Sequence, residues 1–376
     1  MPLELFLRRI LILFLCAFHL QVFSKEMYRY AQSIRSLGMG GAYLGIVKDA
    51  DVIFYNPASL RRVEGLNLEI LNLGAGVNGL QIYNDIQNLG QVNGLSSLTP
   101  FYGKNIWLGL DGKIALAVPY FGFGVYDTGF LSMRLQNPAF PTLDMSLIND
   151  TGYVLGTAIP VGPGAALGLS VKRITRLGGT TQIGPGPLIN ASNSSLQNQF
   201  QNQGLAYGLD TGFVLTTPLP FSPTVSIAWK DVGSTAFSKT AGTDAPERIK
   251  DNLAIGFGVQ GSVPLLGFAA GFDYDHITDA DEQIGKKLHM GAEVSIAMFD
   301  LRAGFYQGYT TYGLGMDLWL LKFDIASYSE ELGVYPGQTP DARIRAAITL
   351  QINFDPSFNF SGFTNRGSGR HLKQRR

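Results

Sequence analysis

Few residues in this chain can carry proton chemistry, because four histidines and one cysteine are spread over 376 residues. His289 and Glu293 stand four positions apart in a segment that alternates apolar and polar side chains, so both fall on one face of a strand. A histidine and a carboxylate beside a serine form the start of a hydrolase triad. A structural ladder of salt bridges and hydrogen bonds explains the pair more simply. That ladder also accommodates the charged residues of the following segments: Arg302, Asp317, Lys322, Asp324, Arg343 and Arg345.

Motifs for other chemistry are absent from the sequence. It contains no G-x-S-x-G elbow and no phosphate-binding loop, and no His/Asp/Glu set has metal-ligand spacing. The single cysteine, Cys16, lies in an N-terminal apolar run, which leaves the chain after it without thiol catalysis or disulfides. The net charge of zero offers no electrostatic attraction for nucleic acid. We therefore predict no catalytic residue, no metal, no cofactor and no nucleic-acid partner.

The N-terminus has the pattern of an export signal. Arg8 and Arg9 precede an apolar run over 10–23, and Ser24 is small enough for a cleavage site. The run is short for a transmembrane helix, which needs about 20 residues. We predict a signal peptide over 1–24, cleaved on export.

The composition of the remaining chain is typical of an outer-membrane β-barrel. Charged residues make up 15% of the sequence, against about 25% in soluble domains. The 46 glycines are nearly twice the usual share of about 7%. After the N-terminal segment, no apolar run reaches the length of a membrane-spanning helix.

Period-two alternation supports that class. In the segment 343–354, Ile348 and Ile352 fall on an uncharged face, while Arg343 and Arg345 fall on the other. One apolar face and one polar face is the pattern of a strand between lipid and lumen. Similar segments predict fourteen strands, near 66–78, 105–111, 113–122, 148–160, 164–175, 204–217, 223–233, 249–262, 266–276, 286–297, 300–306, 311–319, 322–331 and 343–354.

The links between these segments alternate in length. Short links are predicted at 111–113, 161–163, 262–264 and 298–299, and long links at 79–104, 123–147, 176–203, 234–248 and 332–342. Outer-membrane barrels have short periplasmic turns and long external loops. Both ends of the barrel, 66–354, then face the periplasm, which allows the segment 25–65 to enter the lumen as a hatch. The basic segment 355–376 is predicted to be a disordered periplasmic tail.

The hatch segment is marked by its turn residues. Gly38, Gly40 and Gly41 let the backbone turn sharply or approach other groups closely. Asn56-Pro57 favours a turn, which Ala58 continues. We predict that these six residues shape or gate the hatch.

The link 123–147 is unusually apolar. Phe123, Phe130, Leu131 and Phe140 are predicted to capture a hydrophobic ligand outside the membrane. The alternative is that the link packs against neighbouring loops.

The N-terminal motif resembles that of a known superfamily. Leu37–Ala42, Asp49–Asp51 and Tyr55–Ala58 resemble the hatch motif of the FadL-like outer-membrane fatty-acid transporters. Segments from Lys287–Glu293 to Ser329–Gly333 are similar to the PorV/PorQ-like branch, which includes a type IX secretion component. The resemblance implies a 14-stranded antiparallel barrel with an N-terminal hatch in its lumen.

In fatty-acid transporters a kink in the third strand opens a lateral gap to the bilayer. The resemblance therefore makes Pro119, Gly122 and Gly124 a candidate kink, since proline removes a ladder donor and glycine loosens a strand. The alternative is that the strand ends there, with Pro119 at its rim.

We predict a monomeric protein of the Gram-negative outer membrane that contacts the lipid bilayer and passively takes up hydrophobic small molecules such as long-chain fatty acids. The alternative is a PorV-like scaffold or shuttle that binds secreted or surface proteins and transports nothing.

Overall fold

The computed structural model describes residues 26–27, 29–79, 99–184, 200–263 and 265–354. The predicted signal peptide and the predicted tail lie outside these residues. Four short helices are described: α1 (Ile34–Gly38), α2 (Val52–Tyr55), a 3-10 helix (Pro57–Arg62) and α3 (Ile284–Lys287). The strands are β1 (Leu66–Val77), β2 (Asn105–Val118), β3 (Phe121–Gln136), β4 (Thr142–Gly162), β5 (Ala165–Ile183), β6 (Gln203–Thr216), β7 (Thr224–Lys230), β8 (Ser238–Ala241), β9 (Asn252–Val263), β10 (Leu266–Tyr274), β11 (Leu288–Ile296), β12 (Phe299–Tyr306), β13 (Tyr309–Leu318), β14 (Leu321–Glu331) and β15 (Pro340–Phe354).

The sheet is a closed antiparallel barrel. Apart from β8, successive strands of the chain pair with each other, and β1 pairs with β15 to close the ring. The short strand β8 lies outside this ring, because it pairs only with the outer end of β6 while β7 pairs directly with β9. The predicted fold, a 14-stranded antiparallel barrel, is confirmed.

The alternation of side chains explains why the sheet closes. On β11, Met290 and Val294 are exposed on the outer face, whereas His289 and Glu293 are buried in the lumen. Burying both charged groups and leaving aliphatic side chains outside suits a wall between lipid and a filled lumen. No helix among the described residues is long and apolar enough to cross a membrane.

Several predicted boundaries are wrong, and two of these errors cancel in the strand count. The predicted turn at 111–113 lies inside β2, where Asp111 and Lys113 both face the lumen and pair with charged groups there. The predicted loop 123–147 contains most of β3 and the start of β4, which form an unbroken ladder up to Gln136 and Thr142. The sequence prediction thus divides β2 into two strands and assigns most of β3 to a loop.

The connections place both ends of the barrel on one side. Leu66, the first barrel residue, pairs with Phe354, the last. Most turns on that side have two residues, as at 119–120, 163–164, 297–298 and 319–320, whereas the connection 217–223 has seven. The opposite side carries the longer links, except for the five residues 137–141 and the two residues 307–308, where the sequence predicts a short link over 307–310. We call these sides periplasmic and external.

The wall is uneven in height. β3, β4 and β5 have 16, 21 and 19 residues, whereas β11 and β12 on the other side of the ring have 9 and 8. A membrane-spanning strand needs about 9 to 11 residues. The β3–β5 wall therefore extends well beyond the membrane on the external side.

Candidate functional site

Residues 30–63, here called the plug segment, fill the lumen of the barrel. Its apolar residues are buried against small wall residues such as Ala115, Ala158 and Ala254. The 3-10 helix lies against β4, β5 and β6, and α1 lies against β12, β13 and β14. The predicted hatch residues Gly38, Gly40, Gly41, Asn56, Pro57 and Ala58 all lie in this segment and are buried.

Glycines on both sides allow backbone to touch backbone at this boundary. Gly40 and Gly41 have positive φ angles of 66° and 83°, which side chains rarely adopt. A Cβ added to Gly304 would overlap the backbone of Gly40, and one added to Gly313 would come within 2.9 Å of the Gly38 Cα. Wall glycines on nine strands lie against the plug segment. Six of them face its backbone: Gly168, Gly258, Gly271, Gly291, Gly304 and Gly313. The other four face its side chains: Gly122, Gly124, Gly156 and Gly212.

Asn56 fixes the opposite side of the plug segment to the wall. Its amide nitrogen lies within hydrogen-bond distance of Ser226 Oγ, at 2.7 Å, and of the carbonyl oxygens of Phe213 and Ile227, at 3.1 Å. Its Oδ1 accepts the N–H of Ala58 at 2.9 Å and caps the 3-10 helix. The asparagine is fully buried, and a Cβ at Gly212 would overlap its Oδ1. The residue thus joins the plug segment to β6 and β7.

Ion pairs complete the attachment. Arg35 of α1 donates two hydrogen bonds to Glu293, at 2.8 and 2.7 Å. The same carboxylate accepts from Arg302 at 2.7 Å, and Arg302 also pairs with Asp324 at 2.5 Å. On the other side of the plug segment, Asp51 pairs with Lys113 of β2. Because every one of these groups is buried, breaking a pair would strand a charge in the lumen.

The predicted ladder of luminal charges is therefore observed. Glu293, Arg302 and Asp324 form one cluster, which Lys322 joins through Asp324 at 3.1 Å. Arg343 and Arg345 lie nearer the external side of the lumen. Arg343 pairs with Glu26 and Asp341, and Arg345 pairs with Asp111. His289 contacts the carbonyl oxygen of Gly40 at 3.0 Å and the guanidinium of Arg29 at 2.9 Å. One of its nitrogens therefore contacts the plug segment, and the other contacts the residue directly before it.

A cavity of about 550 Å³ lies on the external side of the plug segment. Its walls come from the luminal faces of β2 to β5 and of β12, β14 and β15, and its rim from the external links. Arginines and carboxylates alternate around it with apolar and aromatic side chains, among them Met27, Trp107, Phe130, Ile148, Tyr306 and Tyr328. This volume falls in the range of small-molecule sites, about 300 to 1,000 Å³.

The predicted kink does not match the structure. Pro119 lies in the two-residue turn between β2 and β3, so the strand ends there. Gly122 and Gly124 lie in ladders that pair without register shifts with β2 and β4. Added Cβ atoms would meet Leu60 at 2.8 Å and Phe54 at 2.5 Å. These glycines make room for the plug segment.

The predicted capture loop is also wrong as a loop. Phe123, Phe130 and Leu131 are strand residues of β3, paired with β2 and β4. Phe130 lines the cavity, whereas Phe123 lies on the outer face. Only Phe140 belongs to a connection, the five residues between β3 and β4, where it is exposed. Of the four residues, only Phe123 and Leu131 therefore lie on the outer face of the strand pair.

The described residues contain no group of three or more His, Cys, Asp or Glu side chains placed to hold a metal ion.

Comparison with known proteins finds structures but no sequence relatives. No family model and no curated protein matches the chain. The toluene transporter TbuX of Ralstonia pickettii matches with a TM-score of 0.53 at 14% identity, over 89% of this chain and all of that one. The monoaromatic hydrocarbon channel CymD matches with a TM-score of 0.50 at 13% identity, over 88% of this chain and 99% of that one. A FadL homologue of Pseudomonas aeruginosa matches at 0.35 with 10% identity, over 87% and 98%.

At these identities the likeness establishes the fold. Two of these neighbours, a toluene transporter and a monoaromatic hydrocarbon channel, share the barrel fold with this chain. The similarity of the C-terminal segments to the PorV/PorQ-like branch has no counterpart among these neighbours and stays a prediction.

The sequence did not reveal the cavity. Its lining joins residues that are hundreds of positions apart, such as Glu26 and Arg343. The alternation of β2 and β15 places Trp107, Arg343 and Arg345 in the lumen, but only the register of the closed barrel brings them together.

Proposed function

We propose that this protein is a passive outer-membrane channel for hydrophobic small molecules. The observation that carries the proposal is a cavity of about 550 Å³ between the external links and a plug segment packed onto the wall. A ligand reaches such a cavity from outside the cell. The fold of the hydrocarbon channels supports the same reading.

The plug segment makes a general porin a poor alternative. An open pore needs a continuous water path, whereas the plug segment meets the glycines of nine strands. We propose that the plug segment stays seated and that ligands leave the cavity sideways.

An interruption in the wall marks a candidate exit. The ladder between β6 and β7 begins at Thr211 and Trp229, and above it β6 pairs with β8 only at Gln203 to Leu205. Between these ladders the Val232 N–H donates to the Leu209 carbonyl at 2.9 Å. A locally incomplete ladder separates more easily than the unbroken pairs of β3 with its neighbours.

Uptake by intact cells tests the proposal. Labelled toluene and a labelled long-chain fatty acid are supplied to cells with and without the protein, and the initial rate of accumulation is measured. Ser132→Trp places a large ring in the cavity, whereas Leu131→Trp, one residue away, places the same ring on the outer face. We expect the Ser132 variant to lower uptake severalfold and the Leu131 variant to match the wild type. Equal rates in cells with and without the protein would overturn the proposal.

The tall wall favours a second candidate function. β3, β4 and β5 extend past the membrane and offer a platform to secreted or surface proteins, as in a PorV-like scaffold. Purification of the intact barrel from its native membrane distinguishes the two. A stoichiometric protein partner supports the scaffold, and a hydrophobic compound in the lumen supports uptake.

A further inference from the structure

The cavity contains a preorganised site for a carboxylate. The guanidinium of Arg343 is held from one side by Asp341, with Nε to Oδ2 at 2.7 Å, and stacks on the Trp107 ring at 4.1 Å. Its two remaining nitrogens point to one carboxylate in a bidentate arrangement, at 2.6 and 3.0 Å. Such paired contacts are among the stronger hydrogen bonds in proteins.

The carboxylate in this site belongs to the chain itself. It is that of Glu26, which lies 317 positions from Arg343 and four before the plug segment. Its side chain is 24% exposed, whereas that of Arg343 is 1% exposed. We call the Arg343 guanidinium, held by Asp341 and Trp107, the carboxylate clamp. The clamp is a buried part of the wall, whereas Glu26, the carboxylate bound in it, is partly solvated at the cavity surface.

Neighbouring groups add unused donors. The Trp107 Nε1 and the Arg345 Nε are buried and have no hydrogen-bond partner, and both side chains line the cavity. A Cβ at Gly76 would overlap Arg345 and lie 3.0 Å from Trp107, so these two side chains meet there. Arg345 pairs with Asp111, and Glu330 is the other carboxylate lining this part of the cavity. When the Glu26 carboxylate is removed from Arg343, the donors of Arg343, Trp107 and Arg345 are therefore placed to bind the oxygen atoms of a ligand.

We propose that Glu26 determines ligand charge: it fills the carboxylate clamp of Arg343 and so excludes organic carboxylates from a cavity that admits their neutral counterparts. This rests on the proposed function, because it assumes that small molecules occupy the cavity. A neutral ligand does not compete with Glu26 for the Arg343 guanidinium. A carboxylate ligand must displace Glu26, which is tethered next to Arg343 by the chain and is therefore present at high effective concentration.

Toluene and benzoate form a matched pair of probes, since a methyl group on one ring replaces the carboxylate on the other. Binding of each to the purified full barrel in detergent is measured by calorimetry, for the wild type and for Glu26→Gln. We expect Glu26→Gln to bind benzoate about tenfold more tightly or better, with toluene affinity unchanged within about twofold. Glu26→Ala repeats the measurement without an amide in the clamp.

Two further variants test the cause. Glu247→Gln removes the same charge from an exposed position at the rim of the cavity and is expected to strengthen benzoate binding by no more than about twofold, because exposed charges are screened. Adding Arg343→Lys to Glu26→Gln should abolish the gain, since lysine lacks the bidentate fork.

The results of these measurements separate a failure of the inference on Glu26 from a failure of the proposed function. If Glu26→Gln and Glu26→Ala bind benzoate no better than Glu247→Gln while toluene still binds, the inference on Glu26 is wrong and the proposed function stands. If no variant binds either probe, both are wrong. Heat-modified migration on gels shows in each case that the barrel has folded.

Discussion

Replacing Asn56 by alanine should release one side of the plug segment from the wall. The side chain lies within hydrogen-bond distance of three acceptors, but an amide nitrogen has two hydrogens. Two donated bonds and the one accepted from Ala58 therefore count in full. At about 0.5 to 1.5 kcal/mol each, the loss of these three bonds should lower the free energy of local opening by about 1.5 to 4.5 kcal/mol.

Hydrogen exchange of the barrel in bilayers measures this opening directly. A loss of about 1.5 to 4.5 kcal/mol corresponds to roughly 12- to 1,600-fold faster exchange, because 1.4 kcal/mol is a factor of ten. The acceleration should be confined to peptides from residues 52–63, since the barrel ladders are untouched. Asn72→Ala serves as the control, because that luminal asparagine donates one side-chain bond, to Thr349 at 2.8 Å. Equal exchange of 52–63 in the two variants would refute the reasoning.

Two further predictions concern the plug segment. Gly304→Val should reduce the yield of folded barrel, because its side chain would overlap the backbone of Gly40 and overpacking costs about 1 to 3 kcal/mol or more. The control is Gly179→Val, whose added Cβ has no atom within 4 Å and which should fold like the wild type. Equal yields of the two variants would contradict the close contact between plug segment and wall. Burial raises the pKa of Tyr55 to about 12 from its ordinary value of 10, so the seated plug segment keeps a proton that the released segment loses between pH 10 and 12. The stabilisation by this proton is complete below pH 10 and declines as pH rises towards 12. The difference in 52–63 exchange between wild type and Tyr55→Phe should therefore be constant below pH 10 and change above it, and a constant difference up to pH 12 would rule out the shift.

The fold was accessible from the sequence because lipid and lumen impose opposite demands on alternate residues. The pattern of 343–354 matches the faces of β15, where Ile348 is exposed and Arg343 and Arg345 are buried. The same logic failed at Asp111-Gly112-Lys113, which has the composition of a turn. Both charged groups face the lumen, where partners from other elements neutralise them, and a sequence pattern does not show those partners.

The tall wall was missed for a related reason. Beyond the membrane, Leu131 and Phe130 lie on opposite faces of β3, so the apolar run shows no alternation. Ladder bonds to β2 and β4 hold the strand there. The glycine motif correctly indicated close backbone contact, but which wall glycine meets Gly38, Gly40 or Asn56 depends on the register of the closed barrel.

The most direct test of the account is to lock the plug segment to the wall and measure uptake. A Cβ at Gly271 would lie 3.5 Å from the Cβ of Ala42, within the range of a disulfide. The sequence has one cysteine, Cys16, in the predicted signal peptide, so Ala42→Cys with Gly271→Cys forms the intended bridge. If ligands enter from outside and leave sideways past a seated plug segment, oxidised and reduced forms take up toluene at equal rates. A rate that falls on oxidation and recovers on reduction would show that the plug segment must move.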